Sequence, residues 1–346
     1  MRLIPVSELK LDTKIAMDIR DEHHNLLITK DTLVNPQSLQ RLKNSNVIAV
    51  YIKDQYCYNN LDIPYTSDST VMLEKVNTLQ VAITNTIKGG VAAHDAMVDV
   101  LTEVRAIVNE LDDHRYALRI AYEPSKISSL NVISETTVYI AMMSSLLALK
   151  LGYSRQETYS IFLGALLKDV ASIVPVLGDT VNLNSKQHPI IGCTYIKDNF
   201  EFPPEVARII LEHHELYDGK GYPYNLRGDE IYGGTRIISI IEAFYKINST
   251  TMAKGSKALQ EDFKNWTPHL DPRFLKKFLN HTNVFPPDTL VRLTNGDVGV
   301  IMGTRTTSPF RPQIRILKSV TYPLGTMINL ASLPQLHIYR LMDYFD

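Results

Sequence analysis

At 346 residues the chain is long enough for two or three domains. Its 45% hydrophobic and 21% charged content describes an ordinary soluble globular protein. A net charge of -1 gives no general electrostatic case for nucleic acid or an anionic membrane as partner. The two cysteines, Cys57 and Cys193, stand far apart, which argues against a disulfide framework and fits a reducing cytoplasm. The start, MRLIPVSELKLDTKIAMDI, lacks the apolar core of a signal peptide. Val138 to Leu151 is the most apolar segment, but Ser144, Ser145 and Lys150 interrupt it. It reads as a buried helix, so no membrane span is expected.

Residues 1–53 read as a small β-rich module. Short strands are expected over Lys14 to Ile19 and Asn25 to Ile28, with a helix opening at Pro36 and a closing strand over Val47 to Ile52. His23 and His24 fall at the hairpin tip and read as a solvated turn. Residues 54–114 form a polar linker followed by a helical pair. Val76, Leu79, Ile83 and Ile87 share one helical face, and after Gly89-Gly90 so do Val98, Leu101, Val104 and Val108. Such a stripe suits docking on a core or dimerisation, and a homodimer through residues 71–111 is the expectation. The His94-Asp95 pair in this region has no other ligand pattern around it and reads as a solvated pair.

From 115 to 282 helices dominate: Thr136 to Leu151, Arg155 to Leu167, His188 to Asp198, Pro204 to His213, Arg236 to Asn248 and Pro272 to Asn280. Gly152, Pro175, Pro189 and Pro203-Pro204 supply stops and starts. Residues 283–346 change period. Strands are expected over Leu290 to Leu293, Val298 to Met302, Gln313 to Leu317 and Met327 to Leu330, with Asn295-Gly296 as a hairpin turn. The interspersed Arg305, Arg311, Arg315 and Lys318 read as solvated strand-face charges. Trp266 reads as a packing anchor, and His281 and His337 as surface or tail residues.

One stretch stands out, Arg208 to Pro223, RIILEHHELYDGKGYP. His213, His214 and Glu215 end an apolar helix. The turn Asp218-Gly219-Lys220-Gly221-Tyr222-Pro223 follows and would hold a loop rigidly over whatever the histidines bind. Asp169 ends the apolar run Phe162 to Leu167, and Glu242 sits inside another apolar helix. Carboxylates so placed must be paired, hydrogen-bonded or metal-bound. With His188 they make a set of imidazoles and carboxylates suited to a divalent ion.

The signature HHELYDGKGYP resembles the HD-GYP family of metal-dependent phosphohydrolases, which typically cleave cyclic di-GMP. His188 to Gly192, Arg236 to Glu242, and Leu270-Asp271-Pro272 with Phe274 extend the likeness. The first 53 residues resemble the small module that often precedes this domain, and Val291 to Gly296 the family's β-rich tail. The resemblance implies a mainly α fold, in which an all-helical domain at 115–282 carries a small N-terminal α/β module and a C-terminal β-rich tail. It implies cyclic di-GMP as ligand, and the GYP loop of Asp218, Gly219, Gly221, Tyr222 and Pro223 reads either as a structural turn or as a surface that contacts a nucleotide or a signalling partner protein.

Other positions depart from the family. Thr136 stands where the family places a histidine, and the HD pair itself reads Lys168-Asp169. Ser172 replaces the lysine three positions on, and Glu242 replaces the late aspartate. Thr251 falls at the arginine that helps hold substrate phosphate, while the next basic position remains as Lys254. In the family one ion takes two early histidines, the bridging aspartate and the late aspartate. The second takes the bridging aspartate and three later histidines. Carried over, the second set is complete in Asp169, His188, His213 and His214, while the first keeps Asp169 and Glu242. Lys168 is expected to stand where the first cation would, its proton held on by two carboxylates. The expectation is at most one divalent ion (Fe, Mn, Zn or Ni), or none. It is also a signalling protein acting by binding, with little or no phosphodiesterase activity, because losing one of two metals removes much of the charge stabilisation. An active phosphodiesterase with a rearranged site is the alternative.

Overall fold

The computed structural model describes residues 1–21, 25–58, 79, 82–83, 94–122, 135–174, 182–303 and 308–345. His23 and His24, Val76 and Ile87, and Arg305 lie outside them, as do the side chains of His94 and Asp95.

The N-terminal module holds β1 (Arg2–Pro5), β2 (Lys14–Ile15), β3 (Ile19–Arg20), β4 (Leu26–Ile28), α1 (Pro36–Lys43) and β5 (Ala49–Lys53). Pro36 starts α1 because Asn35 caps it. The Asn35 side chain accepts from Ser38 N, and the Ser38 hydroxyl closes the reciprocal bond. β5 lies between β1 and β2. β1 was not expected from the sequence, because Pro5 ends a run too short to show alternation. Ile4, Ile15, Leu42, Val50 and Ile52 fill a core of this module's own.

The main body contains α2 (His94–Asp113), α3 (Glu135–Leu151), α4 (Arg155–Leu167), α5 (His188–Asn199), α6 (Pro204–Glu212), α7 (Gly233–Thr251), α8 (Ser256–Trp266) and α9 (Pro272–His281). α3 is buried over most of its length, and α4 is buried from Thr158 to Leu167 after an exposed first turn of Arg155, Gln156 and Glu157. Gly164 on α4 allows α6 to approach, since a Cβ there would lie 2.6 Å from Ile209 Cδ1. That contact sets the Asp169 end of α4 beside the His213 end of α6.

The stripe on the linker helices is used inside the molecule. Leu79, Ile83, Met97, Val100, Val104, Ile107, Val108 and Leu111 are buried in the same core as α3 and α4. Of the expected face, Val104 and Val108 are buried, while Val98 is exposed and Leu101 only half-buried, Met97 and Val100 taking their place. Among the described residues, the apolar surface offered for a homodimer is therefore covered by the chain itself. A short parallel pairing of β6 (Ile120–Ala121) with β7 (Thr282–Asn283) ties the two ends of the helical region together.

The tail is a five-stranded antiparallel sheet. Its strands are β8 (Leu290–Leu293), β9 (Val298–Ile301), β10 (Gln313–Lys318), β11 (Met327–Asn329) and β12 (Ile338–Met342), in the order β11-β10-β9-β8-β12. The β8–β9 hairpin turns on Asn295-Gly296, with Gly296 at φ +92°. β12 was missed because Ile338–Met342 alternates weakly and its middle residues are exposed. Arg311 serves the fold, donating to the carbonyls of Leu330, Leu333 and Leu336 at 2.9, 2.7 and 2.8 Å and lying 3.2 Å from His337 Nδ1. His337 is thus a partnered tail residue. Trp266 packs against the main core as expected.

The N-terminal module docks on the tail. The buried Arg2 guanidinium reaches Asp54 Oδ2 from Nε at 3.0 Å and donates to the Asp343 carbonyl at 2.9 Å. Tyr58 N donates to Asp288 at 3.0 Å, and Tyr344 packs on the module's core. Among the described residues no helix is long and apolar enough to cross a membrane.

Candidate functional site

α4 ends at Leu167 and the chain turns at Lys168 and Asp169 into a single 3-10 turn, Val170–Ser172. Ser172 is used locally, its hydroxyl donating to the Asp169 carbonyl at 2.8 Å. His188 is the first residue of α5, with Pro189 at the position where a missing N–H costs nothing. His213 caps the C-terminal end of α6, and His214 follows.

These elements bring Asp169, His188, His213 and His214 together, one ligand atom from each lying within 4.8 Å of all the others. His188 Nε2 is 3.1 Å from His213 Nε2 and 3.2 Å from His214 Nε2. Asp169 Oδ1 stands 3.5 Å from His213 Nε2 and 3.8 Å from His188 Nε2.

The backbone decides which nitrogen carries the proton. His188 Nδ1 lies 2.8 Å from the Ser185 carbonyl, and His213 Nδ1 lies 2.8 Å from the Ile210 carbonyl. A carbonyl only accepts, so both Nδ1 atoms are N–H donors. Both Nε2 atoms then present lone pairs to each other. Burial and the neighbouring His213 and His188 lower the pKa of His214 to about 3, so this third ring stays neutral. Burial lowers His188 as well. Facing lone pairs beside a carboxylate are the chemistry of a cation site. Nitrogens bound tetrahedrally to one ion at about 2.0–2.1 Å stand roughly 3.3 Å apart, close to the spacing here. The donor set fits a divalent ion.

The other expected ligand is placed differently. Glu242, on α7, gives Oε1 to Lys168 Nζ at 2.9 Å, and Lys168 also binds Asp169 Oδ2. Glu242 therefore joins the site through the lysine and not through the imidazole cluster. Lys168 is 8% exposed, and burial alone would lower its pKa. The charges of Glu242 and Asp169 outweigh that and hold it well above its usual value. Burial likewise would raise Asp169, but the Lys168 charge and the His213 contact hold its carboxyl far below the carboxylate range. The pair is ionised.

Thr136 is turned away from any ligand role in this arrangement, its hydroxyl donating to the Tyr245 hydroxyl at 3.0 Å. Tyr245 packs against Tyr122 and Tyr139, so aromatic rings line the wall beside Thr136. Thr251 binds Asp262 Oδ2 at 2.6 Å. Lys254 is exposed on the turn Met252–Lys254, about three helical turns beyond Glu242 along α7.

The GYP loop is built on buried acids. Glu215, grouped by sequence with the metal-capable residues, accepts from Tyr224 N at 2.7 Å and Leu226 N at 3.0 Å. Glu212 accepts from Arg208 Nε at 2.6 Å and Tyr232 N at 2.7 Å. Asp218 is held by Lys220 Nζ at 3.0 Å and His269 Nδ1 at 3.1 Å, and Gly219 takes φ +80°. Gly221 lies against backbone: a Cβ there would come within 2.4 Å of Glu215 Cα and Leu216 N. The Tyr222-Pro223 bond is cis. Tyr222 stacks on His214 with ring centres 4.6 Å apart, and Lys186 Nζ sits 5.6 Å from the Tyr222 centroid. Lys186 is exposed at the site's edge. The sequence reading missed it, although its place two residues before His188 was a signal.

The chain is similar to several known proteins. The HD domain family matches residues 132–272. A cyclic di-GMP phosphodiesterase of Pseudomonas aeruginosa is 26% identical over 169 residues, covering 45% of this chain and 41% of that protein. The cyclic di-GMP phosphodiesterase response regulator RpfG of Xanthomonas campestris is 28% identical over 196 residues, 52% of this chain and 48% of its own. The chain thus spans less than half the length of these curated relatives. Among solved structures, an HDGYP protein from Bdellovibrio bacteriovorus aligns with TM-score 0.46 at 18% identity, over 80% of this chain and 97% of that one. The helical body at residues 132–272 is thus an HD domain, with the signature HHELYDGKGYP closing its histidine cluster.

Proposed function

We propose that this protein is a signalling member of its family that binds cyclic di-GMP at a one-ion site and hydrolyses it little or not at all. The observation that carries the reading is the Lys168 ammonium held between Asp169 and Glu242. A lysine in that ion pair keeps its proton and has no lone pair to give a metal. It supplies one positive charge at a fixed place and leaves no room for a second cation. Asp169, His188, His213 and His214 would hold the single ion, which is iron, manganese, zinc or nickel by donor type. When bound, the ion supplies Lewis-acid charge toward a phosphate oxygen.

The chain's own groups do the rest. The Nδ1 bonds of His188 and His213 fix both rings, so their Nε2 lone pairs stay aimed inward. Tyr222 covers His214 and offers an aromatic face at the mouth, with Lys186 beside it to meet a phosphate. Asp218, Gly219, Gly221 and Pro223 hold that ring in place, and the same rigid loop is the surface offered to a partner protein. Thr136, Ser172 and Thr251 turn their hydroxyls onto neighbouring protein atoms, so the family's early histidine, its lysine and its phosphate-holding arginine have no counterpart there.

The second reading is an active phosphodiesterase with a rearranged site. The convergent Asp169 and three histidines favour it, and so do the activities named for the relatives. Metal analysis of the purified protein with a parallel cyclic di-GMP assay separates the two. The binding reading expects at most one ion per chain, saturable cyclic di-GMP binding and no turnover. Turnover at a rate typical of the family and abolished by His213→Ala would establish the second reading instead.

A further inference from the structure

The third histidine of the cluster is held differently from the other two. His188 Nδ1 and His213 Nδ1 each lie 2.8 Å from a backbone carbonyl, and those bonds fix both rings. Among the described residues His214 Nδ1 has no such acceptor, and its Nε2 meets His188 Nε2 at 3.2 Å. An imidazole turns about χ2, a soft torsion between sp³ and sp² carbons. Turning it carries Nε2 away from the point where the other donors meet. Something other than a hydrogen bond has to set its plane.

The ring of Tyr222 is placed to do so. It lies nearly parallel to the His214 imidazole, with 23° between planes and 4.6 Å between centres. His213 and His188 meet the same imidazole at 43° and 89°, so neither covers its face in this way. An imidazole that turned about χ2 would drive its edge into the tyrosine ring, and a packed interior does not yield to that.

Tyr222 is in turn fixed by backbone. Its N–H donates to the His214 carbonyl at 3.2 Å. A Cβ on Gly221 would come within 2.5 Å of that same oxygen, so a residue without one lets the loop lie directly on His214. Asn225 Nδ2 donates to the Gly221 carbonyl, and Glu215 holds the far side of the loop through Tyr224 N and Leu226 N. Ligand and loop therefore clasp each other twice, by a backbone bond and by a ring stack.

We propose that Tyr222 is a positioning residue for the ion: its ring sets the plane of His214, and the stack couples ion occupancy to the order of the GYP loop. The inference rests on the one-ion reading of the cluster. Coupling between two events is reciprocal, so a ring that prepares His214 for an ion is itself held more firmly once the ion is bound.

Titration of the metal-free full-length chain with Co²⁺, followed by calorimetry and by the visible absorption of the bound ion, tests this. Tyr222→Phe keeps the ring and should bind Co²⁺ within about two-fold of wild type. Tyr222→Leu should weaken binding about ten-fold and change the visible bands as an imidazole leaves the ion. In a His214→Ala background the same Tyr222→Leu should change affinity by less than about two-fold, because its effect passes through the missing ring. Hydrogen exchange over residues 219–226 should slow on adding Co²⁺ to wild type and not to Tyr222→Leu. Tyr222→Met takes the place of the leucine variant should that one fail to fold. A wild-type chain that binds no Co²⁺ overturns the one-ion reading and this inference with it. Binding by wild type that Tyr222→Leu matches overturns this inference alone. So does a Tyr222→Phe variant as weak as Tyr222→Leu, which would give the role to the hydroxyl, or a full ten-fold loss in the His214→Ala background.

Discussion

Lys168 exchanges an imidazole for an ammonium at the point where two carboxylates converge. Asp169 and Glu242 are mostly shielded from water, and the lysine is their shared counter-charge. Replacing one member of a buried ion pair typically costs 3–5 kcal/mol, and partial exposure of the two acids reduces this to about 2–3 kcal/mol. Lys168→Met should therefore lower the melting temperature of chelator-treated protein by several degrees. Added Mn²⁺ should restore much of the loss, because a divalent cation can take the vacated place. A variant that melts like wild type in chelator would refute the counter-charge role.

At the scale of elements, the GYP loop depends on a close backbone contact. A methyl group on Gly221 would press on Glu215 Cα, Leu216 N and the His214 carbonyl, none of which can rotate away. Gly221→Ala should cost at least about 1–3 kcal/mol by overpacking and displace His214. A weakened metal affinity together with a lowered Tm would register both effects. A second junction is the start of α9, where the buried Asp271 accepts from Arg273 N at 2.9 Å and Arg236 Nη1 at 2.7 Å. Burial works to raise its pKa, but Arg273 and the capping N–H groups outweigh it and hold it below 3.8. A depressed folded pKa means the unfolded chain binds the proton more readily. The stabilisation is thus complete above pH 3.8 and is lost as pH falls through the lower folded value. Asp271→Asn should cost about 2–3 kcal/mol at neutral pH and flatten the acid limb of a stability curve below pH 4, as read by urea melts across pH.

For the whole molecule, docking of the N-terminal module rests on few polar contacts. Arg2 links Asp54 at the module's end to the Asp343 carbonyl of the tail. Arg2→Ala should free the module while leaving the helical body intact. Limited proteolysis near residue 54 is expected to accelerate, with metal content unchanged. Equal cleavage rates would place the docking energy in the packing of Tyr344 on the module's core instead.

Much of this protein could be read from its residues alone, for stated reasons. Helix periods, proline starts and Asn295-Gly296 are local features, and they located most helices and the tail hairpin. HHELYDGKGYP is a local signature, and it identified the family. Lys168 could be assigned as an ion-pairing cation only through the resemblance, which placed Asp169 and Glu242 around one ion. Contacts between distant segments were not legible. The linker stripe spends its apolar face on α3 and α4, with Val104 and Val108 buried as expected and Val98 exposed, because periodicity shows that a face is apolar but not what covers it. Glu215 resembled a ligand in sequence yet bonds to backbone N–H groups nine and eleven residues on. The facing lone pairs of His188 and His213 depend on which carbonyl meets each Nδ1. Composition determined the class of molecule, and local pattern determined its elements and family. The ion-ready geometry and the fate of each apolar face were decided by tertiary structure, because each requires residues far apart in the chain to meet.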